Sequence, residues 1–277
     1  MFVVMKRLIP FFLLLFAAFS CGYFIVHSHS YILGFYEVCS IGAGGEYVDI
    51  GGVEYLRVNV HVKEARMVTD VFGNRPSENG SYEELCGKYG DVSYPLRTLN
   101  SDANRGDPVL SSWPNADFRD IDVICNTEWD DLHPAGSSLR DIAWLAGVST
   151  YPYIQNAYSE FRYSPYEWSE FYRNCYGETA NDWRGHPVDK PLKDISPDDL
   201  ILLGFGNMLV QPGGVGYEDA DLLYFPPDVQ PWMDYDPGSM NFNMFALFIP
   251  VSGEGKADLS VVVTDEDSET FTASLSF

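Results

Sequence analysis

The sequence predicts a mainly β (α+β) fold, an antiparallel β-sandwich of immunoglobulin-like or transthyretin-like type with a short helical insertion at residues 138–177. Three observations carry this reading. Between Glu54 and Lys63 the apolar Val58, Val60 and Val62 alternate with Arg57, Asn59, His61 and Lys63, the period-two pattern of a strand with one dry and one wet face. The last twenty residues hold two such runs around a polar turn. Helical spacing is confined to one block in the middle of the chain, without the repeated β-α alternation that a parallel sheet requires.

Taken in order, Tyr31 to Cys39 is an aromatic and aliphatic strand candidate, and the glycines from Gly42 to Gly45 predict a turn between strands. No helix follows those glycines, so they are not a phosphate-cradling loop. Residues 64 to 120 are rich in Gly, Pro, Asn and Asp and read as long loops, interrupted by a short helix after Ser81, where Glu84 completes a capping box. Ile121 to Cys125 is a short strand.

A helix is then expected from Ser138, with Leu139, Ile142, Ala143 and Ala146 on one face and Gly147 as its stop. Ile154, Ala157, Tyr158 and Phe161 share helical spacing. The best-marked helix has Ser164 as N-cap, Pro165 in its first turn, Glu167 closing the box, a stripe of Trp168, Phe171, Tyr172 and Cys175, and Gly177 as terminator. Strand patterns resume at Asp199 to Phe205 and Phe242 to Pro250. A final hairpin is predicted from Leu259 to Phe277, turning at Asp265 to Ser268.

The first twenty residues read as a signal peptide: Lys6 and Arg7 precede an apolar run from Leu8 to Phe19. Ala18 and Ser20 satisfy the small-x-small rule of ordinary cleavage, and Cys21 stands where a lipoprotein cysteine would, with Phe19 departing from the usual small or β-branched residue. The expected organisation is therefore a signal peptide over 1–20, a lipidated N-terminus and tether over 21–30 attached through Cys21, and a single domain over 31–277. An uncleaved apolar anchor running on to Val26 is the competing reading.

The chain has 17 basic and 40 acidic residues and a formal charge of -23. Segment 1–20 contributes two bases and no acid, so the chain from Cys21 onward is more acidic still. A surface of that sign repels phosphate backbones, which excludes nucleic acid as a partner. Four cysteines beyond Cys21, at 39, 86, 125 and 175, lack any CxxC pair, so a structural zinc site is not indicated. They either remain thiols or form disulfides in one of three connectivities.

Eleven aromatic side chains lie between Tyr151 and Trp183. Trp168, Phe171 and Tyr172 fit the buried stripe of a helix, which leaves Tyr151, Tyr153, Tyr163 and Tyr166 as candidate glycan contacts, since exposed rings stack on sugars. Acids cluster at Asp130 and Asp131, at Asp219 and Asp221, and at Asp234 and Asp236 with Asn241 and Asn243, but none matches a calcium-binding loop. His27 and His29 would share one face of a strand, although their place beside the tether argues against a metal site. No metal or cofactor is expected.

For hydrolysis, a GxSxG elbow is absent, and the run His133-Pro134-Ala135-Gly136-Ser137 has no third group that spacing identifies. The alternating run that ends at Phe277 is also the pattern of a terminal strand in an outer-membrane β-barrel, against which the helical block and the loop-rich 64–120 stand.

The cysteine cleavage site at Cys21, the acidic mature chain, the Tyr- and Asp-rich loops and the Thr264-Asp265-Glu266-Asp267-Ser268 hairpin together resemble the uncharacterised cell-envelope lipoproteins of Gram-negative gut anaerobes. The resemblance implies a cell-envelope protein, often with a β-sandwich, whose role is unassigned. The function expected of the chain is that of a non-enzymatic envelope lipoprotein, lipid-anchored at the outer membrane, with a ligand-binding or accessory role and a glycan or envelope protein as partner. Its domain would lie in the periplasm or at the cell surface, and the lack of an acidic run after Cys21 favours the periplasm. An envelope hydrolase acting on polysaccharide or peptide is the alternative, and a barrel the second.

Overall fold

The computed structural model describes residues 27–28, 30–32, 34–70, 81–94, 97–98, 112–159, 167–176, 185–204, 243–251 and 258–276. The predicted signal peptide, Cys21, Tyr163, Tyr166 and the acids at 219, 221, 234 and 236 lie outside them. Eleven strands are present among the described residues: β1 (His27–Ser28), β2 (Gly34–Ile50), β3 (Val53–Asp70), β4 (Arg97–Thr98), β5 (Ser112–Pro114), β6 (Phe118–Cys125), β7 (Trp144–Ser149), β8 (His186–Pro191), β9 (Asn243–Pro250), β10 (Asp258–Asp265) and β11 (Thr270–Ser276). Three short α-helices accompany them, α1 (Tyr82–Lys88), α2 (Tyr151–Gln155) and α3 (Glu170–Tyr176).

A six-stranded sheet in the order β5-β2-β3-β9-β7-β8 packs against a three-stranded sheet, β11-β10-β6, and every pairing is antiparallel except the short β2–β5 contact. β1 and β4 form a separate two-stranded pair. The expected mainly antiparallel sandwich is what the chain builds. Leu56, Val58 and Val60 of β3 and Phe245, Leu247 and Ile249 of β9 share one buried cluster with Ile121, Val123, Leu259, Val261, Val263 and Leu275 of the smaller sheet.

The other face of β7 and β9 is also dry. Ala146, Val148, Ala246 and Phe248 meet Trp168 and Tyr172 of the α3 region, so the larger sheet lies between the smaller sheet and a helix. The small alanines let the helix approach, and β9 reads as an unbroken apolar run because both its faces are covered. The outward face of the smaller sheet is polar: Thr270, Thr272, Ser274 and Ser276 are exposed.

Several expectations need correction. Gly42 to Gly45 are not a turn but lie inside β2, which runs on to a two-residue turn at Gly51 and Gly52, both with positive φ (64° and 82°), as a tight hairpin of right-handed strands demands. The glycine at 42 has a packing reason: it pairs with His61, and a Cβ there would lie 2.4 Å from the imidazole Nε2. β3 continues through 64–70, which the composition had assigned to loop.

The helix expected from Ser138 is a single turn, closed by the Ala143 amide on the Leu139 carbonyl (2.9 Å); residues 144–149 then extend into β7. Flanked by β8 and β9, this run buries both faces, a larger gain than a short isolated helix could supply. Where a strand is expected from Asp199, a 3-10 turn (Pro197–Leu200) is found, capped by the Ser196 and Asp199 side chains, and Ile201 to Gly204 continue as a turn; Phe205 lies outside the described residues. α3 starts, among the described residues, at Glu170 with Ser169 as its cap, its Oγ accepting the Tyr172 amide at 3.0 Å. The predicted cap at Ser164 lies outside them.

Candidate functional site

The tightest polar site sits where the chain enters the fold, and it starts from the end of a helix. α1 begins with the Ser81–Glu84 capping box. It ends in a Schellman motif: the Gly90 amide, at φ 69°, donates to the Gly87 carbonyl (3.1 Å) and the Asp91 amide to the Cys86 carbonyl (2.9 Å). That turn delivers Asp91 to the interior, where it has no solvent exposure. Its carboxylate accepts the backbone amides of Tyr31 (2.7 Å) and Ile32 (2.8 Å) and the Tyr158 hydroxyl (2.9 Å).

Tyr158 reaches it from a strained loop: Ala157 and Tyr158, which sequence spacing placed in a continuing helix, have φ values of 51° and 59° and end α2 instead. Tyr31, Tyr94 and Tyr153 pack edge-on around the carboxylate's partners, with ring centroids of Tyr31 5.4 Å from Tyr94 and 5.1 Å from Tyr153. Burial pushes the Asp91 pKa above the ordinary carboxylate range, against the pull of its three donors. Burial and the adjacent Asp91 charge push the Tyr158 hydroxyl up to about 12.

Of the candidate glycan contacts, Tyr153 is 2% exposed and belongs to this knot, so its ring has no face to offer a sugar. Tyr151 is half-buried against the main core. The two described members of that set therefore do not form an exposed platform. Asp91, Tyr31 and Tyr94 are the residues that sequence reasoning missed. The Gly90 stop was readable, but not the inward aim of the acid after it.

A second site uses His133. Its Nδ1 lies 2.7 Å from Asp130 and its Nε2 3.0 Å from Asp141, and Asp130 also accepts the amides of Leu132 (2.8 Å) and His133 (2.9 Å). Burial pulls the imidazole pKa down, but the two carboxylates outweigh it and the net shift is upward. With a carboxylate on each nitrogen, His133 is not placed to take a proton from Ser137 or Ser138, and Ser138 Oγ donates instead to Asp122 (2.6 Å).

A third cluster joins α1 to the smaller sheet. The buried Asp117 accepts the Leu202 amide (3.1 Å) and lies 3.2 Å from Lys88 Nζ, which also pairs with Glu266. No group of three or more metal-type ligands is assembled among the described residues, and Asp130 of the first acidic pair is committed to His133. Cys86 and Cys125 are buried thiols, Cys39 is exposed and Cys175 is half-buried. Burial raises Cys86 to about 11 and Cys175 to about 12, so neither is a poised nucleophile.

The fold and these sites define a class, a mainly-β two-sheet protein whose described acidic clusters are closed by internal partners. No family model, no curated protein and no solved structure matches the chain.

Proposed function

We propose that this protein is a non-enzymatic cell-envelope lipoprotein, attached to a membrane through acyl chains on Cys21, whose β-sandwich serves a ligand-binding or accessory role. The observation that carries the reading is the Asp91 lock. The carboxylate grips Tyr31 and Ile32, ten residues after Cys21 and just past the short β1. A tether needs a firm root, and burial of a carboxylate against two backbone amides supplies one.

His27, where β1 pairs with β4, follows Cys21 by only six residues, so the link spans at most about 20 Å and holds the body near the headgroups. A lipoprotein cysteine bears more than one acyl chain, and such a set binds membranes durably where a single chain does not. The closed state of the His133 and Asp117 clusters, with both imidazole nitrogens of His133 taken by carboxylates rather than by a serine hydroxyl, weighs against the hydrolase alternative.

The test is expression of the full chain in a Gram-negative host fed an alkyne fatty acid. Label on the wild type, with loss of both label and membrane retention in Cys21→Ala, is the expected result. An unlabelled wild type recovered free of membranes would refute the reading.

A further inference from the structure

We propose that Asp130, His133 and Asp141 form a proton-operated latch that holds one end of the sandwich closed. The loop between β6 and β7 has two limbs. The first ties the sheets together: the Asn126 amide donates to the Asp258 carbonyl on β10 (2.8 Å), and Trp129 Nε1 donates to the Pro250 carbonyl on β9 (3.2 Å). The second covers the outer edge of β6: the Leu139 amide donates to the Val123 carbonyl (2.8 Å), the Cys125 amide to the Ser137 carbonyl (3.0 Å), and Arg140 Nη1 to the Ile121 carbonyl (3.2 Å). His133 joins the limbs, with Asp130 on the first and Asp141 at the end of the second.

The charged groups that face the ring are these two carboxylates. Arg140, next to Asp141, turns to Asp120. The Cys125 thiol beneath the loop reaches the backbone carbonyls of Pro134 and Ser137 at 3.3 Å and the His133 carbonyl at 3.8 Å, not the imidazole.

An imidazolium carries a hydrogen on each nitrogen and satisfies both carboxylates; a neutral ring carries one. Asp130 is fixed by the amides of Leu132 and His133, so it keeps the remaining hydrogen. The bare Nε2 then faces the Asp141 carboxylate, whose side chain is 63% exposed and can turn to water. Loss of one proton therefore removes the tie between the limbs and leaves the second held only by its bonds to the edge of β6, so that it opens more readily while the first stays in place. Because the folded-state pKa is raised, the stabilisation is complete below the unfolded histidine value of about 6.5 and disappears as pH rises through the folded value. This latch stands independently of lipid attachment.

The test uses the full chain in detergent, labelled with [13C]histidine and assigned with His133→Gln, together with amide exchange corrected for its intrinsic pH dependence. Two results are expected: a His133 midpoint above about 6.5, and exchange over 137–142 that accelerates several-fold as pH passes that midpoint. In Asp141→Asn, a surface change that leaves the core intact, the midpoint falls and the step in exchange disappears. A wild-type midpoint at or below the free value, or corrected exchange that is unchanged across the midpoint, overturns the latch.

Discussion

A carboxylate without solvent contact has to be held by donors, and Asp91 finds three, two of them main-chain amides of buried residues. Asp91→Ala is expected to destabilise the protein by about 3 kcal/mol, since the amides of Tyr31 and Ile32 lose a charged acceptor and gain nothing. Tyr158→Phe removes one of the three donors and should cost about 1 kcal/mol. Urea unfolding measures both, and equal effects would mean that the knot is held by ring packing rather than by the carboxylate. Thiol labelling gives a second residue-level expectation. Cys39 should react in the native state while Cys86 and Cys125, both at most 1% exposed, react only on unfolding. Little of this site was legible in the sequence. Composition pointed to the tyrosines, but a tyrosine that packs a buried acid and one that meets a ligand are spelled alike. Tyr153 was therefore a candidate contact, and Asp91 was one acid among forty.

At the scale of elements, the sequence was most legible where one face is wet. β3, the β10–β11 hairpin and α1 all showed their period or their caps, and each formed. It was least legible where both faces are dry. β7 has the run Trp144–Val148, apolar throughout, which a helix could equally have used, and only the neighbours β8 and β9 decide for a strand. The glycines of β2 misled for a related reason: glycine marks turns, yet here it also makes room for a partner. Gly42 and Gly44 separate the two uses. Gly42→Ala must displace the His61 ring and should cost about 1 kcal/mol, whereas a Cβ at Gly44 meets nothing within 4 Å. Gly44→Ala should be neutral or stabilise by about 0.5 kcal/mol, because a glycine within a strand forfeits backbone entropy. Thermal unfolding of the two variants decides between them. β8 shows a further element-level device: it is the sheet's edge, and Pro187 and Pro191 with Asp189 and Lys190 make it a poor template for another strand.

For the whole molecule, charge sets the dependence on solution conditions. Forty acids face 17 bases, so even if every base were paired, more than half the acids would have no basic partner. The pairs that form, such as Arg57–Glu46, Arg66–Glu37 and Arg140–Asp120, each have at least one largely exposed member and contribute no more than about 1 kcal/mol apiece. Repulsion among the unpaired acids acts across the entire surface and opposes compaction. Salt screens both, with a Debye length that falls from about 30 Å at 0.01 M to about 3 Å at 1 M. Because repulsive pairs outnumber attractive ones, screening should stabilise the fold. Raising sodium chloride from about 0.02 to 0.5 M is expected to add about 1–2 kcal/mol, which for a domain of this size is roughly 3–6 °C in Tm. The measurement is calorimetry at a single fixed pH, so that the latch histidine contributes to both arms alike. A Tm that falls with salt would show that the few ion pairs, among them Lys88 with the buried Asp117 and with Glu266, outweigh the surplus of acid.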